Sequence, residues 1–339
     1  MLRIVGDINL TDGYFDVGFG IGSMLKDSKY DPFQRLERSR EDCWIGNFEG
    51  VTSETSVLKG TKALQFRVDP DSLSHLTHFH YYGVANNHIM QHGENAYIRT
   101  VDVLESLGAK CFGSNKQKTQ LFEHQGKLVS ITGFSLRIDA FSREPLYWHN
   151  PELLDITQEL ELLPQNAYKI VYVHWGCEFV MQPTREQKKL AHWLIEIGFD
   201  MVVGMHPHVL QGYEVYKGKY IFYSLGNFVF DMAWLPTGYG GMINIDLSSK
   251  KPKVLPSYIK INDSYQPVSI DENDVPEFLR FSNLNKLIMC DYNDEGYHGL
   301  IKSNYKKYKK ANHRDIFLKV IRHPKSGLDT VIDFIKRRM

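Results

Sequence analysis

The stretch KIVYVHWGCEFVMQPTREQKKLAHWLIEIGFDMVVGMHPH, residues 169–208, decides the fold class. It opens on a β-branched apolar run, KIVYVHWG (169–176), that ends on polar groups. REQKKLAHWLIEIG (185–198) then places apolar residues at helical spacing and closes on glycine, the expected helix stop. DMVVGMHPH (200–208) is a second apolar run that breaks into a polar turn. The same pattern extends in both directions. LRIVGDIN (2–9), IGNFEG (45–50), YYGVAN (81–86), KLVSITGF (127–134) and KYIFYSLGNFVFD (219–231) read as strands, most of them leading into polar turns. ENAYIRTVDVLESLGA (94–109) reads as a helix, with Tyr97, Val101, Leu104 and Leu107 three or four apart. Strands alternating with helices predict a layered α/β architecture with functional groups at strand ends.

Composition bounds the function. The chain has 339 residues, 42% hydrophobic and 24% charged, as expected of a globular protein. Its 40 basic and 40 acidic residues balance, which argues against a nucleic-acid binder. The balance is uneven along the chain: residues 300–339 carry 12 Lys/Arg against 3 Asp/Glu, and residues 1–299 carry 28 against 37. Cys43, Cys111, Cys177 and Cys290 form no CxxC pair, which fits reduced thiols in a cytosolic protein. MLRIVGDINL has no signal pattern and no apolar run reaches about 18 residues, so a cytoplasmic location is expected. Residues 1–250 are read as one domain. Residues 251–339 are read as a C-terminal extension in which KKPKVLPSY (250–258) and DENDVPEF (271–278) are loose connections before a basic, helical tail.

Five strand-like segments end in side chains able to bind metal or move protons: Asp7, Glu49 with Asn47, Asn87–His88, His174, and the His206–His208 pair. Carboxylate, imidazole and amide oxygen suit Mn, Fe or Zn. A bridging carboxylate would serve two neighbouring cations, and Pro207 stiffens the turn between two histidines. Singly, each has a plainer reading. Asp7 after a glycine could be a turn cap, His174 beside Trp175 a hydrogen-bonded core histidine, and Asn86 and Asn87 turn formers.

Taken in order, these segments resemble the CapA family of bacterial capsule and poly-γ-glutamate synthesis, a branch of the calcineurin-like metallophosphoesterase superfamily. The resemblance rests on GDINL (6–10), GNFEG (46–50), FRVDP (66–70), VANNHIMQHG (84–93), VYVHWGCEF (171–179) and the block 202–231, and it spans residues 3 to about 247. It implies an α/β/β/α sandwich with a mostly helical C-terminal extension. It also implies a hydrolase using one or two divalent ions (Mn, Fe or Zn), with metal-bound hydroxide attacking a phosphoester or related bond. Asp7 and His208 would hold the first metal, and Asn87, His174 and His206 the second. Glu49 would bridge them, with Asn47 as its rival, and His88 would be the general acid or charge stabiliser. Glu178, Asn227 and Asp231 would stand behind the ligands or face substrate, and Arg67 could contact an anion, though on its own it reads as a solvated surface group.

The sequence departs from the pattern at four places. Asn9, a weaker ligand that would bind a metal or support one, replaces the histidine of Asp-x-His, and Asn47-Phe48-Glu49 replaces Gly-Asp-x-x-Asp. Gln91 stands where an aspartate is usual, which would weaken any orienting of His88, and Met205 where a histidine is common. His92 reads as an exposed residue at a helix start. The expected partner is an anionic small molecule or polymer. A different class of function stays open: a non-catalytic accessory protein of a polymer assembly complex, retaining a metal or polymer-binding site. Lys306, Lys307, Lys309 and Lys310, with Tyr305 and Tyr308, could then form a basic amphipathic surface for a membrane or partner, against the plainer reading of a solvated helix.

Overall fold

The strand–helix–strand unit of residues 169–208 forms as Tyr168–His174, Arg185–Ile197 and Met201–Met205 in a computed structural model that describes residues 1–74, 78–290 and 292–322. The helix starts where Thr184 and Gln187 exchange side-chain and backbone hydrogen bonds, a capping box, and stops at Gly198, whose φ of 130° few other residues tolerate. Both strands pair in parallel, so both of their faces are covered and their sequences are apolar almost throughout.

Two sheets carry the fold. The first runs, in order, Pro267–Ile270, Lys253–Ile261, Tyr239–Asp246, Leu2–Ile8, Cys43–Phe48, Tyr81–Gly83 and Lys110–Phe112, with Asn227–Val229 beside the end of Leu2–Ile8. The second runs Tyr213–Tyr216, Lys219–Phe222, Met201–Met205, Tyr168–His174, Lys127–Ser135 and Thr119–His124. Period-two alternation divides the side chains between layers. Ile4, Ile45, Ile170, Tyr172, Met201, Val203 and Met205 meet between the sheets. Val5, Ile8, Trp44 and Tyr82 turn outward, where Tyr97 and Leu104 of the Glu94–Ser106 helix cover them. Val171, Val173 and Val202 turn to the other outer face, under the Leu153–Glu161 and Arg185–Ile197 helices. The result is the expected α/β/β/α order.

Tyr172 crosses the middle of this sandwich, its hydroxyl donating to the Val5 carbonyl at 2.7 Å. Tyr172→Phe would remove that tie between the sheets and leave the site ligands in place. It is expected to cost about 1 kcal/mol in a denaturant melt.

The extension is not helical from its start. Lys253–Ile261 and Pro267–Ile270 add two antiparallel strands to the first sheet, so KKPKVLPSY is no loose connection. Pro256 and the surrounding lysines hid the strand. It is tolerated opposite Ile243 because the outer strand pairs only with Tyr258–Ile261 and does not reach it. The helical part follows as Phe281–Ile288 and the long Asp294–Arg322 helix. The rest of the basic tail, residues 323–339, lies outside the described residues. Among the described residues, no helix is long and apolar enough to cross a membrane.

Candidate metal centre

Strand ends of both sheets converge at one edge of the sandwich. Asp7 ends the first strand, Asn47 and Glu49 the second, and the loop after Tyr81–Gly83 brings Asn86, Asn87 and His88. From the second sheet come His174 and the His206-Pro207-His208 turn. The two histidines flanking Pro207 have φ of 94° and 57°, a left-handed conformation that costs non-glycine residues on the order of 1–3 kcal/mol each. The turn is held by ladder neighbours and by the His206 amide donating to Asp7 Oδ2 at 3.2 Å.

The donor atoms cluster closely. Glu49, His206 and His208 each offer an atom within 4.8 Å of the others, and so do Asp7, Glu49 and His174. Glu49 belongs to both groups. Its Oε1 lies 3.6 Å from His208 Nε2 and 3.9 Å from His174 Nε2. Asn87 Oδ1 is 2.8 Å from His174 Nε2, which is 3.2 Å from His206 Nδ1.

A divalent cation fits these residues. Glu49 Oε1 and His206 Nε2 are buried without a hydrogen-bond partner, an arrangement that is costly unless something else meets them. Burial pushes the Asp7 carboxyl up to about 7. Burial, then the neighbouring Asp7 charge, pushes Glu49 well above the usual carboxylate range. Burial lowers His208 to about 3 and holds His174 and His206 well below the usual imidazole range. Carboxylates that resist ionising beside imidazoles that resist protonation are what a cation, by displacing protons, would relieve. The mixed oxygen and nitrogen donors suit Mn, Fe or Zn.

The remaining candidates separate by what their atoms already do. Asn47 donates to Asp7 Oδ1 at 2.8 Å and accepts from Asn86 at 3.2 Å, so it orients a carboxylate. Asn86 does more than shape a turn: it also caps the amides of His88 and Ile89. Asn9 spends its oxygen on the Thr11 amide and hydroxyl, within its own turn. Asn227 meets His208 Nδ1 at 2.9 Å, fixing that ring from behind. Arg67 is half-buried and donates from Nε to the Ala63 carbonyl and from Nη1 to the Ser53 carbonyl. Met205 lies in the core between the sheets.

His88 is built in from three sides. Phe66, itself held at φ 55°, stacks on the imidazole with ring centres 3.9 Å apart and planes at 4°. Gln91 Oε1 lies 3.0 Å from His88 Nδ1, while its amide nitrogen donates to the Gln65 carbonyl. That second bond fixes the amide, so Nδ1 carries the proton in the neutral ring and Nε2 faces Glu49 Oε1 at 3.9 Å. Glutamine thus orients His88 without contributing charge. Burial lowers the ring to about 4, and the Gln91 hydrogen bond offsets this only in part. His92 is not exposed: it is 1% accessible and bonded to the Ser56 hydroxyl and the Gln65 carbonyl.

A cavity of about 600 Å³ opens from His88 and His208, walled by Glu178 and Phe179 and roofed by Tyr305 and Tyr308 of the Asp294–Arg322 helix. Tyr308, expected on a basic surface, is buried with its ring 4.0 Å from Phe179. Asn304 donates to the Phe179 carbonyl and Asn312 accepts from the Ala233 amide, fastening the helix over the cavity. This roof and the Phe66 stack had no signal in the sequence, because both depend on segments far apart in the chain.

Residues 2–232 match the family model for bacterial capsule synthesis protein PGA_cap. The chain belongs to that family. The match contains every strand end of the centre and stops before the roof helix. The chain is 30% identical to the PGA biosynthesis protein CapA of Bacillus subtilis over 222 residues, 61% of this chain and 58% of the relative. It is 31% identical to the capsule biosynthesis protein CapA of Bacillus anthracis over 188 residues, 51% of this chain and 45% of that one. It therefore spans about half the length of these PGA_cap relatives. Among solved structures, a phosphatase from Mycoplasma pneumoniae is similar at 14% identity and a TM-score of 0.44, over 76% of this chain and 92% of that one.

Proposed function

We propose that the chain is a metal-dependent hydrolase of phosphoesters or related bonds in anionic substrates, serving capsule, exopolysaccharide or poly-γ-glutamate synthesis. The observation that carries this reading is Glu49, shared by both donor groups, with its free oxygen and the Nε2 of His88 turned toward each other. Asp7, Glu49, Asn87, His174, His206 and His208 would hold one or two ions. When bound, these would polarise the scissile bond and acidify a water.

The protein's own groups do the rest. Phe66 and Gln91 hold His88 in one plane and one tautomer, so that only Nε2 can exchange a proton with the reacting groups. The neutral ring must first take a proton there before giving it to a leaving oxygen.

Gln91→Glu would place a carboxylate against Nδ1, which favours the charged imidazole and raises its pKa. The pH–rate limb that belongs to His88 should move to higher pH, with metal content unchanged. A profile that does not move would remove His88 from proton transfer.

The central experiment is hydrolysis of an aryl phosphate by metal-loaded and chelated protein. Turnover lost on chelation and restored by Mn, Fe or Zn supports the reading. Retained metal without turnover would move the substrate from phosphoesters to an amide or ester bond of an anionic polymer.

A further inference from the structure

The cavity wall carries a second concentration of buried carboxyl groups that the hydrolytic reading leaves unused. Asp12, Asp16 and Asp231 are 7%, 4% and 7% exposed, and Asp16 and Asp231 line the cavity. Asp12 is spent within its own loop, accepting from the Gly18 amide at 2.8 Å and from the Ser23 amide and hydroxyl at 2.8 and 2.5 Å. Asp231 Oδ2 accepts from the Gly13 amide at 3.2 Å. Asp16 Oδ2 is buried and accepts from no amide, hydroxyl or cationic group; its hydrogen-bond neighbour is the Asp231 carboxyl.

The Asp16 and Asp231 carboxylates lie side by side. A β-carbon on Gly20 would come within 3.0 Å of Oδ2 of both, and of Asp12 Oδ1 as well. One on Gly13 would stand 3.2 Å from Asp16 Oδ1 and 3.1 Å from Asp231 Oδ1. Two glycines thus make room for the pair. Among the described residues, the ion pairs within 4.0 Å leave all three aspartates out. Lys319 acts on Asp16 only through space, its ammonium being held by Asp315 at 2.7 Å and by the Tyr265 hydroxyl.

Adjacent buried carboxylates without a cationic partner are costly, and the cost falls when a cation joins them. The pair itself offers only carboxylate oxygen, which favours a hard ion over Zn or Fe. Magnesium in particular takes one or two carboxylates and keeps several waters, for which the cavity has room. We propose that Asp16 and Asp231 hold a hard divalent cation, of the magnesium or calcium class, at a second ion site in the cavity wall beside the histidine-rich centre. The ion would bind the loop after the first strand to the segment after Asn227. It would also turn an acidic wall into one that attracts an anionic substrate. The site does not depend on the chain being a hydrolase.

The test uses full-length protein loaded with manganese, then titrated with calcium or with magnesium while its melting temperature is followed. At about 100-fold excess over Kd, mass action predicts a rise of about 4 °C for a chain of this size. Asp16→Asn and Asp231→Asn should each abolish the rise while manganese content stays the same. No rise with either ion in the unaltered protein overturns the proposal, whatever the variants do. An equal rise in a folded variant overturns it as well. An unaltered protein indifferent to both ions, with Asp16→Asn more stable than it, would show that the pair shares a proton instead.

Discussion

Glu49→Ala should leave the protein folded and unable to retain metal. Glu49 is 0% exposed and is the one residue in both donor groups, so its loss breaks both at once. With metal at about 1,000-fold excess over Kd, the unaltered chain should gain roughly 6 °C in melting temperature, and the variant none. Metal-free, the variant should melt no lower than the parent. A buried carboxylate raised by burial and by the Asp7 charge opposes folding when it stands alone, so removing it relieves strain. Equal metal content in variant and parent would sink the assignment. Asp7 adds a pH dependence. Its carboxyl titrates near 7 without metal and must be ionised to ligate, so metal uptake should weaken as pH falls through that value.

His88→Ala should do the opposite: metal content unchanged, turnover on an aryl phosphate lowered by about 10²- to 10⁴-fold. The ring is fixed by Phe66 and Gln91, not by the donor cluster, and its Nε2 stands 3.9 Å from Glu49. Loss of metal together with activity would make His88 a ligand and end the proton-transfer role. The pair of variants is therefore diagnostic only when metal analysis accompanies kinetics.

The strand ends were legible because each is an apolar run that breaks into chemistry-bearing residues, and a parallel sheet brings such breaks to one edge. Asp7, Glu49, Asn87, His174, His206 and His208 all meet there. What each does was less legible. Asn9 and Asn47 are the same residue type at neighbouring strand ends, yet one bonds its own turn and the other the Asp7 carboxylate. Arg67 and His92 look solvated in the sequence, yet Arg67 donates to the nearby Ala63 carbonyl and the Ser53 carbonyl, and His92 bonds the Gln65 carbonyl 27 residues away. The Lys253–Ile261 strand was masked by a proline that only its pairing partners make tolerable. These outcomes follow from tertiary contacts that local pattern does not encode.

The roof helix has a consequence for how such a protein can change. Its cavity-facing residues, Tyr305 and Tyr308 among them, sit more than sixty positions beyond the last residue of the family match, while every donor atom lies before it. The donor cluster is thus written in one stretch of the chain, while the cavity that opens from it is walled partly by that stretch and partly by the helix beyond it. Exchanging the helix would reshape one side of the cavity and leave the donor atoms in place.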